Sequence, residues 1–264
     1  MSQPMIKAKD KAEKKSAGGE LRDTIVVIIE ALIIAVLFRT FLYQPFSIPT
    51  ASMQSTLMIG DYFVASKFTW GFGKYSFPFP LPFNGRIMGR DPTQGDIAVF
   101  RNEIAGEDYI KRVIGMPGDH VQMKQGRLYI NGTLVEREEV GRGADTDSYG
   151  QTVPVILYRE TLPNGVTHTV QEISDNGPLD NTAEYVVPAG HFFMMGDNRD
   201  RSQDSRVLSA VGYVPSGNLI GKAEARFFSI KDNIAPWKLW EWPANVRWDR
   251  MLQSVYQSYT STPK

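Results

Sequence analysis

Two residue types in this chain could together break an acyl bond. Lys111 lies in the run Asp108-Tyr109-Ile110-Lys111-Arg112-Val113-Ile114. Read as a strand of period two, Tyr109, Lys111 and Val113 share one face, and Ile110, Arg112 and Ile114 share the other. A lysine in such apolar company either snorkels its ammonium to water or is buried. A buried amine loses its proton more readily and can act as a base near neutral pH. Ser52, in Ile48-Pro49-Thr50-Ala51-Ser52-Met53-Gln54, is a candidate nucleophile, although a serine before a methionine is ordinarily a turn or capping residue. Other bases are few, since the chain has three histidines (His120, His168 and His191) and no cysteine.

Several other chemistries are poorly served. The absence of cysteine excludes a thiol nucleophile, a cysteine-based zinc site and a disulfide framework. No histidine lies in a pattern that suggests a Ser-His-Asp base. The G-x-S-x-G and H-E-x-x-H motifs are absent. The run from Gly196 to Arg206 mixes both charge signs but fails the calcium-loop spacing, and a magnesium site there would need carboxylates that converge in space, which spacing alone does not show. No metal or cofactor is expected. The 29 basic and 29 acidic residues balance, and nothing global points to nucleic acid. A serine nucleophile with a lysine base is the economical design that remains.

The elements that must position these groups begin with a membrane segment. Residues 1–23 read as a basic tail, with Lys7, Lys9, Lys11, Lys14, Lys15 and Arg22 among them. Residues 24–43 approach the ~20 apolar residues that cross a bilayer core. No small-x-small cleavage site follows promptly, so an uncleaved anchor fits better than a removed signal peptide. The basic tail would stay cytoplasmic and everything after the anchor would cross the membrane. Glu30 is deep in this segment and would need a partner or a proton. Ten residues lie between Leu42 and Ser52 inclusive of the latter, a reach of at most ~35 Å.

Residues 44–264 read as mainly β. Strand signals fall at 61–66, 96–100, 109–114, 127–130, 153–158, 184–187, 191–195 and 221–230. Asn131-Gly132 and Asn164-Gly165 mark hairpins. The expected fold is a multi-sheet β domain with an inserted subdomain at about 121–190, whose polar stretch 140–182 reads as loop-rich. The aromatic, proline-rich segment 68–83 and the tryptophans at 237, 240, 242 and 248 suit either a membrane interface or ordinary packing.

Four stretches in fixed order resemble the signature boxes of bacterial type I signal peptidase. They are Pro49 to Leu57, Gly95 to Phe100, Tyr109 to Asp119, and Gly196 to Asp200 continuing through Ser205-Arg206. With the anchor ahead of them, the resemblance covers about residues 24–230. It implies Ser52 as nucleophile and Lys111 as general base. It implies that Ser202 orients the lysine amine, and that Thr50 joins the Ser52 N–H in an oxyanion hole, although a threonine there departs from the family's usual serine. Ile48 and Ile110 match residues lining pockets for small side chains, and Asp197, Asp204 and Arg206 match structural supports. The implied substrates are signal peptides of secreted preproteins, cut after small-x-small sites at the bacterial inner membrane, with the lipid bilayer as the other partner. A self-cleaving repressor-type Ser-Lys protease and a non-catalytic membrane-tethered β scaffold are the alternatives.

Overall fold

The computed structural model describes residues 17–83, 85–146, 150–231, 234 and 238–256. Two compact units are present, the first ending at Phe38 and the second running from Arg39. Helix α1 spans Ala17–Phe41. Its stretch Leu21–Phe41, 21 residues, is long and apolar enough to cross a membrane by length and composition. At 1.5 Å per residue it reaches ~32 Å. Its apolar side chains are largely exposed, as is Glu30. The expected basic tail falls mostly outside the described residues, and its last seven, from Ala17, are already helical. The helix stops at Phe41 rather than at residue 43, because Pro45 removes a donor and disfavours helix just before it.

The second unit is built on one large antiparallel sheet. Its main strands are β1 (Tyr43–Ser47), β2 (Asp61–Ser66), β3 (Ile97–Asn102), β4 (Glu107–Gly115), β5 (His191–Met195) and β6 (Leu219–Ser229). They lie in the order β1-β2-β6-β3-β4-β5, with Val214–Pro215 beyond β5. Strand β3 is central and covered on both faces. Ile97 and Val99 join one core cluster with Met53, Leu57 and Phe63, while Ala98 and Phe100 join another with Val113, Phe192 and Met194. The register pairs Ala98 with Lys111 and Phe100 with Tyr109. Lys111 therefore sits on the face expected from its period-two neighbours.

Two further sheets form the inserted region. One contains His120–Lys124, Arg127–Ile130, Thr133–Leu134 and Tyr185–Val186. Its Asn131-Gly132 turn has both residues at positive φ, 53° and 75°, as a two-residue hairpin turn requires. The other is a three-stranded ribbon of Glu136–Thr146, Thr152–Thr161 and Thr167–Glu172. The stretch 140–182, expected to be loop-rich, is thus mostly strand. Residues 136–146 are largely exposed and show no apolar alternation, so the ladder is held by backbone pairing rather than by a buried face. The aromatic segments divide in fate: Trp70 is buried, while Phe79, Trp240 and Trp248 are exposed. Trp237 lies outside the described residues.

Candidate active site

Strand β5 pairs with β4 only from Arg112 onward. Residues 107–111 are bonded to β3 on one side, and their other edge is left without a strand. β1 ends the sheet path, so its outer edge is also without a strand among the described residues. A cleft of about 240 Å³ opens here, lined by Phe46, Ser47 and Pro49 near β1 and by residues 107–111 of β4. Strand edges of this kind present unpaired N–H and C=O groups to an extended peptide.

The nucleophile candidate Ser52 also lines that cleft. Residues Ala51–Met53 form a single turn of 3-10 helix, preceded by Thr50 in extended conformation. Met53 is fully buried and pins the turn to the core, with Ser52 nearly buried beside it. Three residues on, Ser55 adopts φ 91°, a left-handed conformation that costs a non-glycine residue about 1 kcal/mol or more. Its hydroxyl donates to the Thr169 carbonyl at 2.8 Å, which holds the turn in that shape.

Lys111 Nζ lies 2.5 Å from Ser52 Oγ. Lys111 is 3% exposed, and its amine lies 5.5 Å from the centre of the Tyr109 ring. Burial lowers its pKa from 10.5 to about 8, against the opposing pull of Asp204 and Asp197. Thr50 Oγ1 is 3.4 Å from Ser52 Oγ, on the cleft side. Among the described residues, Lys111 and Thr50 are the hydrogen-bond partners of the Ser52 hydroxyl.

The loop after β5 closes the back of the site. Asn198 N–H donates to the Ser52 carbonyl at 3.1 Å. A Cβ on Gly196 would fall onto both the Ser52 carbonyl oxygen and the Ser202 hydroxyl, so only glycine fits between them. Ser202 is buried here, but its Oγ makes no hydrogen bond among the described residues, and none to Lys111. It lies near enough to Asp204 to help hold that carboxyl low, behind the larger effect of Arg206. Asp204 and Arg206 form a fully buried ion pair; Asp204 also accepts from Gly196 N–H at 3.0 Å, and Arg206 donates to the Arg199 carbonyl at 2.6 Å.

Asp197 takes two bonds from Arg112, at 2.8 and 2.6 Å, and one from the Thr56 hydroxyl at 2.6 Å. Arg112 is 2% exposed and also donates to the Gly95 carbonyl. Sequence reasoning missed Arg112. Its signal was an arginine alternating with Ile110 and Ile114 on a face that proves to be buried. Ile110 lines the cleft, whereas Ile48 is buried in the core cluster with Met53 and Phe63. The histidines lie elsewhere: His120 pairs with exposed Glu184, His191 bonds the Ala189 carbonyl, and His168 is buried against Glu160. The described residues hold no group of three or more His, Cys, Asp or Glu side chains placed to bind a metal ion.

A base within hydrogen-bond reach of a serine hydroxyl, beside a strand edge, is what acyl transfer from a peptide requires. Comparison with known proteins points the same way. The family described as signal peptidase, peptidase S26, matches residues 21–228. Signal peptidase I of Rickettsia typhi is 39% identical over 246 residues, 84% of this chain and 89% of that protein. Its counterpart in Rickettsia conorii is 38% identical over 248 residues, 85% of this chain and 90% of that protein. A signal peptidase I crystal structure from Enterococcus faecalis aligns over 50% of this chain and 97% of that one, at 27% identity and a TM-score of 0.30. With the family matched over most of its length, the chain belongs to the signal peptidases of peptidase family S26 and is a serine endopeptidase.

Proposed function

We propose that this enzyme removes signal peptides from exported preproteins by a Ser52 nucleophile and a Lys111 general base. The observation that carries the reading is the 2.5 Å approach of an amine lowered to about pKa 8 to the Ser52 hydroxyl. Neutral Lys111 takes the Ser52 proton as Oγ attacks the scissile carbonyl. The same proton passes to the leaving amine as the peptide bond breaks, and an ester to Ser52 remains. Water then attacks the ester, giving its proton to Lys111, and the acid product leaves as Ser52 regains a proton. The developing oxyanion is met by the Ser52 N–H, in the first turn of a 3-10 helix where N–H groups lack intrahelical acceptors, and by the Thr50 hydroxyl.

The remaining parts have supporting roles. Ser202 orients the Lys111 amine once substrate displaces the resting contacts, and Asp197, Asp204 and Arg206 hold the loop that carries it. Ile110 in the cleft wall, with Ile48 beneath, favours small side chains and hence cleavage after small-x-small sites. The substrate lies extended between the two open strand edges, where backbone pairing gives affinity and alternate side chains give selectivity. The helical stretch Leu21–Phe41 anchors the enzyme in the bacterial inner membrane, the basic tail before it is cytoplasmic under the positive-inside rule, and the β domain from Tyr43 onward is extracytoplasmic. The short reach from anchor to Ser52 keeps the site near the bilayer, where a signal peptide delivers its cleavage point.

The test is cleavage of a preprotein in detergent. Ser52→Ala and Lys111→Met are each expected to abolish processing while the far-ultraviolet spectrum and thermal unfolding stay those of a folded protein. Full activity in either variant would sink the dyad and favour a tethered scaffold.

A further inference from the structure

Among the contacts between the ribbon and the active site, those of Asp145 reach both the nucleophile turn and the cleft wall. Asp145 is 8% exposed, near the end of strand Glu136–Thr146. Its carboxylate accepts from Gln54 Nε2 at 3.1 Å, two residues beyond Ser52, and from Gln171 Nε2 at 3.0 Å. It also accepts from its neighbour's backbone, Thr146 N–H, at 2.7 Å. The fourth partner is Arg201, whose Nη1 lies 3.0 Å away and also donates to the Thr146 carbonyl. One carboxylate thus ties the ribbon to the nucleophile turn and to the cleft wall.

Arg201 is one of the cleft-lining residues, together with Gln203 from the same loop. Its side chain is 19% exposed. Its contacts with Asp145 and the Thr146 carbonyl both use Nη1, and Nε and Nη2 make no hydrogen bond among the described residues. A guanidinium fixed at one nitrogen, with two donors left over in a peptide cleft, is pre-organised to take a carboxylate side by side. Its conformational cost has already been met by Asp145 and Thr146, which a freely rotating surface arginine could not offer. The same cleft is also lined by Glu107 and by Asp108, which is paired with Arg101 at 3.1 Å.

We propose that Arg201 is a specificity-determining residue that hydrogen-bonds an acidic side chain of the preprotein at a position outside the small-x-small pair, and that Asp145 is the positioning residue that aims it. The inserted ribbon then has a purpose: it carries the carboxylate that sets this subsite. The inference rests on the proposed reading of the cleft as the peptide site.

The experiment uses the full-length enzyme in detergent with a set of preproteins bearing Asp, Asn or Lys at each position flanking the scissile bond in turn. One position is expected to show a preference for Asp over Lys of about fivefold in kcat/KM, the scale of a partly exposed ion pair. That preference should fade with added salt, disappear in Arg201→Gln, and reverse in Arg201→Glu. Asp145→Asn should reduce the same ratio at the same position, and adding it to Arg201→Gln should change the ratio no further. A general loss of structure would instead lower the rate for Asp, Asn and Lys substrates alike, and would leave their ratio as in wild type. If no position shows a charge preference in wild type, or if the preference survives Arg201→Glu, the proposal is wrong, while Ser52→Ala, assayed in parallel, separately reports on the dyad. The wild-type substrate series and its salt dependence stand even if a variant fails to fold.

Discussion

Two buried lysines lie on this sheet with their amines lowered to about the same value, and they are placed for different ends. Lys111 on β4 and Lys67 just after β2 are 3% and 2% exposed. Burial is the first cause in both, and each falls from 10.5 to about 8. Lys111 meets a serine hydroxyl at the edge of a peptide-sized cleft. Lys67 meets the backbone carbonyl of Ser76, itself fully buried, with Arg39 lowering it further and Asp108 raising it. A carbonyl has no proton to give, so Lys67 has nothing to deprotonate and acts as a cross-link within the fold. A perturbed pKa therefore marks burial, and only geometry separates a base from a strut.

The widest separation between the two should come from removing each amine. Lys111→Met, which keeps length and apolar packing, is expected to lower kcat/KM by ~10²–10⁴-fold, the contribution of a positioned general base. Lys67→Met should leave kcat/KM within about threefold and instead lower stability by roughly 1–3 kcal/mol, because the Ser76 carbonyl is left buried without a donor. Steady-state rates on a preprotein and denaturant unfolding of the same samples give both numbers. Comparable rate losses in the two variants would mean that the two lysines do not differ in role. A smaller effect should follow from Thr50→Val, which keeps shape but removes the hydroxyl 3.4 Å from Ser52 Oγ. A loss of ~10² in kcat with Thr50→Ser close to wild type would place that hydroxyl at the oxyanion.

Much of this contrast was readable in the chain and some of it was not. The strand carrying Lys111, its face and the Asn131-Gly132 hairpin follow from local alternation and turn chemistry, which act over a few residues. Strands 61–66, 127–130 and 191–195 fall where their apolar runs predict. The importance of Lys67 is not visible, because Lys67-Phe68-Thr69-Trp70 says nothing about a carbonyl at residue 76. Arg112 and Asp145 hide for the same reason: their partners Asp197, Gln171 and Arg201 are remote in sequence and are chosen by topology. The stretch 140–182 reads as loop-rich because strands held by backbone ladders alone, such as Glu136–Thr146, carry no apolar signature. Ser202 is expected to bond the lysine amine; its hydroxyl lies beside Gly196 and makes no hydrogen bond to Lys111 among the described residues.

The pH dependence of the rate is a sharper test of which lysine matters. Lys111 must be neutral to accept a proton, so kcat/KM should rise with pH through about 8 and then level off. Between about pH 6 and pH 8 the neutral fraction grows about fiftyfold, with close to a tenfold gain per unit at the acid end. Lys67→Met should retain this limb unchanged, since its amine shares the titration range but not the chemistry. A limb that moved or vanished in Lys67→Met would assign the titration to the wrong lysine.

Stability should report both amines equally, and this is the smallest effect and the most even-handed one. Each lysine has a folded pKa near 8, below its unfolded value of 10.5. Between those values the unfolded chain holds a proton that the folded chain has released, so the free energy of unfolding increases with pH across that window. Below about 8 both states are protonated and the slope vanishes; above 10.5 both are neutral and it vanishes again. From pH 8 to about pH 9 each lysine should contribute roughly 1 kcal/mol, or about fivefold in the folding equilibrium. Lys67→Met and Lys111→Met should each remove one such increment, and the double variant both, because the two amines have no shared partner. Denaturant unfolding of the four proteins at the two pH values measures it. Equal increments combined with unequal rate losses would mean that burial alone sets the proton affinity, and that the cleft and Ser52 decide what the proton is used for.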